Sequence, residues 1–219
     1  MLGFTAHTVV FADVDQDWVR AQLPHGDLGA PLQPPFLHAL CTCTGRVAGS
    51  IDLLCVAERL PGEPPVELTP LDLGAGQRPA EQLRAEHLRA EHLRAGHPRV
   101  ERAFTYRDDV RAWETDGGVV LLGRGVAGRW EAAIEVDPDR RERRLGRALA
   151  TAARHLIPAG EPLWAQVAPA NAASVRAFLA AGFTPVGAEV LLAARSPGGS
   201  PGPPVRPESR LAGDATIVE

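Results

Sequence analysis

The chain has 219 residues, 45% of them hydrophobic, with 23 basic and 27 acidic residues and a formal net charge of −4. That length and apolar content suit one domain with additions, or two small domains, around a sizeable core. The mild acidity argues against nucleic acid as a bulk partner. Every basic residue is arginine, which excludes Schiff-base chemistry on lysine, and no apolar run reaches membrane-spanning length.

The amino terminus, M-L-G-F-T-A-H-T-V-V-F-A-D, carries no basic leader and meets Asp13 early, so it is a poor signal peptide. The three cysteines, Cys41, Cys43 and Cys55, match neither a zinc knuckle nor a redox pair. Together these features predict a cytoplasmic protein with reduced thiols, each buried and unreactive. V-V-F-A predicts a short strand, residues 34–39 can open a helix, and S-I-D-L-L-C-V-A at 50–57 suits a buried strand or helix. P-G-E-P-P at 61–65 breaks any regular element and places a boundary after an N-terminal segment, residues 1–62. That segment either packs on the remainder or serves a homodimer contact; the sequence leaves both open.

A repeat with a period of five follows: E-Q-L-R-A, E-H-L-R-A, E-H-L-R-A, G-H-P-R-V. Each step turns a helix by about 140°, so Leu83, Leu88 and Leu93 share no stripe. Glu81–Arg84, Glu86–Arg89 and Glu91–Arg94 support a solvated helix, an insert over about 80–96 stopped by Gly96 and Pro98. His87 and His92 are five apart rather than four, which argues against a paired-histidine zinc site, and no metal is expected.

Three strands are predicted next, at 110–115, 119–122 and 129–136, joined by D-G-G and G-R-G-V-A-G. Leu145, Ala148, Leu149, Ala152 and Leu156 then mark one face of a helix. Between the last strand and this helix lies P-D-R-R-E-R-R-L-G-R, with arginines at 140, 141, 143, 144 and 147. Free N–H groups, a partial positive charge and guanidinium groups together form a site for a polyanion such as a pyrophosphate. Gly146 lets a ligand approach the backbone. The end of the chain, S-P-G-G-S-P-G-P-P-V-R-P onward, predicts a disordered tail over 196–219.

The run V-D-P-D-R-R-E-R-R-L-G-R-A-L resembles the acetyl-CoA-binding motif of the GCN5-related N-acetyltransferases: Gln or Arg, two residues, Gly, one residue, then Gly or Ala. Arg141 takes the first position and Gly146 the last, while Arg144 stands where the middle glycine would be. W-A-Q-V-A-P-A-N-A-A-S-V-R-A-F-L-A-A-G-F, residues 164–183, is similar to that family's next strand and helix. Residues 66–73 resemble its first strand. The resemblance implies an α/β, acyl-CoA N-acyltransferase fold over residues 63–195, a mixed and mostly antiparallel sheet flanked by helices, with 1–62 as an extra segment.

It also implies roles. Arg141, Arg143, Arg144, Leu145, Gly146 and Arg147 would hold the diphosphate of coenzyme A. Backbone groups of Ile134 and Val136 would hold the pantetheine arm and polarise the thioester. Asn171 would contact the cofactor arm, although asparagine is also a plain N-cap. Glu135 and Glu131, on the opposite strand face from Ile134 and Val136, are candidate general bases, Glu135 lying nearer the thioester; both would equally suit a half-exposed strand. Phe178 stands beside the cofactor at the position of a tyrosine that protonates the thiolate in many members, and it cannot donate. The implied activity is transfer of an acetyl group from acetyl-CoA to a primary amine by direct attack in a ternary complex. The amine belongs to a small molecule or a peptide. Two other readings stay open: a non-catalytic acyl-CoA-binding sensor or scaffold, which Phe178 favours, and a site for another phosphate ligand such as a nucleotide.

Overall fold

The protein, seen in a computed structural model, is described over residues 1–71, 73, 103, 106–141 and 144–195 and the backbone of 216–218. The five-residue repeat, His87, His92 and Arg143 lie outside the described residues. The chain divides into two compact units, each treated by itself. The first comprises Met1–Leu54, Gln166–Ala170 and Pro185–Glu219, and the second Cys55–Ala165 and Asn171–Thr184. The boundary expected near residue 62 therefore falls inside the second unit. Among the described residues no helix is long and apolar enough to cross a membrane.

In the first unit, β1 (Leu2–Phe4), β2 (Thr8–Val10), β3 (Arg46–Ala57), β9 (Thr184–Ala194) and β10 (Thr216–Val218) lie in the order β10-β2-β1-β9-β3. β10 pairs antiparallel with β2, so the tail predicted to be disordered ends in a strand. Its T-I-V sequence is β-branched throughout, which the proline and glycine content upstream obscured. Helices α1 (Gln16–Gln22) and α2 (Pro34–Thr44) help build an apolar cluster of Met1, Val10, Val19, Phe36 and Leu40. Asp15 caps α1 by accepting from the Trp18 N–H at 2.9 Å. Of the thiols expected to be buried, Cys43 is exposed and Cys41 half-buried. Cys55 is buried, and burial pushes its thiol pKa up.

The second unit holds β4 (Thr69–Pro70), β5 (Asp108–Thr115), β6 (Gly118–Arg124), β7 (Trp130–Val136) and β8 (Leu163–Val167), in the order β8-β7-β6-β5-β4. Of the strand expected over 66–73, β4 is the paired part. β5, β6 and β7, the three strands expected from the sequence, form an antiparallel meander, and β7 and β8 run parallel. Helices α3 (Leu145–Ala153) and α4 (Ala172–Ala180) belong to the same unit. One face of the meander buries Ala112, Val119 and Leu121 with Ala103, and Ala133 packs against them.

Arginines fasten the open end of the meander. The Arg124 guanidinium stacks 4.3 Å from the Trp130 ring and makes a two-pronged ion pair with Glu161, at 2.5 and 2.8 Å. The Arg124 hydrogen bond holds the Glu161 carboxyl below its usual pKa. A depressed carboxyl pKa stabilises the fold above the ordinary glutamate range, and that contribution is lost as pH falls through the depressed value. The gap in melting temperature between the wild type and Glu161→Gln should therefore narrow from pH 7 toward pH 3; a gap constant with pH would contradict the pairing.

Candidate active site

The centre of the site is the end of β7. Its register with β6 runs unbroken from Gly118↔Val136 to Arg124↔Trp130. Just beyond, the Asp137 N–H donates to the Gly117 carbonyl at 2.9 Å. Backbone groups alternate along a strand. Glu135, Ala133 and Glu131 therefore turn their backbone groups to β6, and Val136, Ile134, Ala132 and Trp130 turn theirs to the β8 side. The β8 register covers Trp130↔Leu163 and Glu131↔Trp164 and stops there. The N–H and C=O of Ile134 and Val136 thus lie past the paired stretch, on an edge that presents donors and acceptors without reference to side chains.

After β7 the chain turns through a short 3-10 segment, Pro138–Arg140, and enters α3. Arg140 folds back to Asp116, 2.8 Å away, and its stem fills the space where a side chain on Gly117 would sit, so Gly117 (φ +86) is required twice over. α3 seats Leu149 and Leu145 over Gly118 and buries Leu149, Ala150, Ala152 and Ala153; of the face read from the sequence, Leu149 and Ala152 are buried and Leu145 and Ala148 half-buried. It ends at Ala153, one turn short of Leu156.

Arg144 is the N-cap of α3, and its own side chain makes no capping hydrogen bond. The N–H groups of Leu145, Gly146 and Arg147 therefore have no acceptor within the helix. Arg144 sits at φ +61, ψ 5, in the left-handed region. That conformation costs a non-glycine residue about 1–2 kcal/mol and explains why glycine belongs at this place in the motif. The substitution keeps a glycine-like backbone and adds an exposed cation. Arg141 and Arg147 are exposed too, and among the described residues no carboxylate pairs with Arg141, Arg144 or Arg147. Gly146 plays a different part from the one expected. A Cβ there would meet Ala177 at 3.5 Å and Val136 at 3.7 Å, ordinary contacts inside the protein, so alanine would also fit. The contact does bring the first turn of α3 beside the end of β7.

Asn171 caps α4, accepting from the Ser174 N–H at 3.1 Å. Phe178 is 4% exposed, with its ring packed edge-on against Phe183 at 4.9 Å. It is a core residue whose nearest ring is protein.

The two strand glutamates separate sharply. Glu131 is buried, with Arg107 Nε 3.1 Å from Oε2 and Arg129 Nε 2.9 Å from Oε1, and it also accepts from the Val126 N–H at 3.3 Å. Both guanidinium groups are themselves nearly buried. Removing the carboxylate would take an ion-pair partner from two nearly buried guanidinium groups, which gives Glu131 a structural role. It also sits five residues from Val136, about 16 Å along the strand. Its surroundings are those of an ion pair within the protein. Glu135 lies one residue from Val136 and is half-buried. Arg107 was not singled out in the sequence, since nothing local ties it to a residue 24 positions away.

No known protein family matches the sequence, and no curated protein matches it. Among solved structures the chain is similar to a GCN5-related N-acetyltransferase from Kribbella flavida, at 21% identity and a TM-score of 0.40. The match covers 72% of this chain and 63% of that one, so the chain spans less than two thirds of its length.

The Arg144 backbone can be tested directly. Arg144→Gly should raise stability by up to about 1 kcal/mol, and Arg144→Val should lower it by about 1–2 kcal/mol, read from urea midpoints. Equal midpoints in the two variants would contradict the left-handed assignment.

Proposed function

We propose that the chain is an N-acetyltransferase that moves an acetyl group from acetyl-CoA to a primary amine of a small molecule or peptide. Attack is direct, within a ternary complex. The observation that carries this reading is the meeting of two features in one place. The start of α3, with three arginines around it, adjoins the end of β7, where the backbone of Ile134 and Val136 faces beyond its register with β8.

In this reading the N–H groups of Leu145, Gly146 and Arg147, with the Arg141, Arg144 and Arg147 side chains, hold the diphosphate. Arg143 adds to that charge. Ile134 and Val136 hold the pantetheine arm through their backbone and direct an N–H at the thioester carbonyl. Acetyl-CoA, when bound, supplies the activated acyl group. Asn171 keeps its capping bond and contributes its remaining polar capacity to the cofactor arm. Glu135 takes the proton from the incoming amine, directly or through water. With a buried phenyl ring at Phe178, the thiolate is protonated by water. The site requires no metal.

The lack of a hydroxyl at Phe178 favours one competitor, a module that binds acyl-CoA without turning it over. Free-thiol release from acetyl-CoA across a panel of amines separates the two. The enzyme reading expects release with at least one amine, a loss of about 100-fold in kcat for Glu135→Gln with CoA affinity retained, and weaker CoA binding by Arg141→Ala. Tight CoA binding with no release on any amine would establish the module instead. Tighter binding of ATP than of CoA would point to a nucleotide site.

A further inference from the structure

Arg154 closes α3 and binds three pieces of chain together. Its Nε donates to the Glu58 carbonyl at 2.9 Å and its Nη1 to the Ala181 carbonyl at 2.7 Å. Its own carbonyl accepts from the Leu60 N–H at 3.0 Å. One residue thus ties the end of α3 to the end of α4 and to the strand of chain at 58–60. Arg59 lengthens the tie by donating to the Ile157 carbonyl at 2.9 Å. The seat depends on Gly182: its φ is +84, and a Cβ there would lie 2.6 Å from Arg154 Nη1.

α3 and α4 are the two helices whose first turns carry the cofactor residues named above. At the first turn of α3 they meet through Gly146 and Ala177, side chains too small to interlock. At the far end a directional bond joins them, from one arm of the planar Arg154 fork to the Ala181 carbonyl, while the other arm holds residue 58. α3 has nine residues and is about 13 Å long, so a tilt of about 5° at the clasp moves its N–H groups by about 1 Å. A shift of that size is enough to spoil a preorganised grip.

We propose that Arg154 is a positioning residue for coenzyme A, holding the pitch of α3 against α4 so that the anion-binding first turn and the end of β7 stay in register. This rests on the acetyltransferase reading. It assigns Arg154 no contact with the ligand.

The test is calorimetric titration of CoA into the wild type, Arg154→Ala and Arg154→Lys, with thermal melts alongside. Lysine keeps the charge and the stem but cannot donate along two fixed directions. The expected result is a Kd about tenfold higher for Arg154→Ala and several-fold higher for Arg154→Lys, both still melting cooperatively. Added methylguanidinium should restore most of the Arg154→Ala affinity and leave the wild type unchanged, a rescue that general destabilisation would not produce. Should Arg154→Ala fail to fold, Arg154→Lys carries the comparison. Wild-type affinity in either folded variant, whatever its melting temperature, overturns the proposal alone. Failure of the wild type to bind CoA overturns the underlying reading, and this one with it.

Discussion

The candidate site depends on the unequal pairing of β7. One edge of this strand is bonded to β6 along its whole length; the other is bonded to β8 over its first two residues. A strand in the middle of a sheet normally spends all its backbone groups on neighbours. Here the last residues turn donors and acceptors outward where the chain is about to enter a helix. That helix begins at a residue whose side chain makes no capping bond, so two kinds of backbone group free of helix or sheet bonding come side by side. The arrangement comes from topology rather than from particular side chains.

Charge completes it. Two groups of arginine in this unit stand in contrast. Arg107, Arg129 and Arg124 are paired with Glu131 and Glu161 and hold one end of the meander. Arg141, Arg144 and Arg147 are exposed around the start of α3, with no carboxylate partner among the described residues. A buried carboxylate between two guanidinium groups stiffens the near end of β7, and exposed guanidinium groups at the far end make it attractive to polyanions. The same residue type thus does structural work at one end of a strand and remains available at the other.

Much of this was legible in the sequence because it is local. The i, i+3, i+4, i+7 spacing from Leu145 marked α3 as a helix and two of its buried residues, Leu149 and Ala152, and Asn171 declared the start of α4 by its capping chemistry. The meander could be read from alternation and glycine turns. What could not be read is long-range or conformational. Nothing near Glu131 announces that Arg107 will bury it. Arginine gives no sign that residue 144 will sit at positive φ; the motif position hinted at it and the backbone explains it. The strand at Thr216–Val218 was hidden by the composition before it, because short-window reasoning lets prolines speak for their neighbours. Gly146 was read as room for a ligand, and its missing side chain faces Ala177 and Val136 instead.

The central claim is that the first turn of α3 and the end of β7 form one surface for the diphosphate and arm of coenzyme A. Its most direct test is an amide chemical-shift map of the isotope-labelled protein during titration with CoA. The account predicts that the largest shifts fall on Leu145, Gly146 and Arg147, with Ile134 and Val136 moving in the same concentration range. Saturable shifts that cluster elsewhere, with those five amides unmoved, would contradict it.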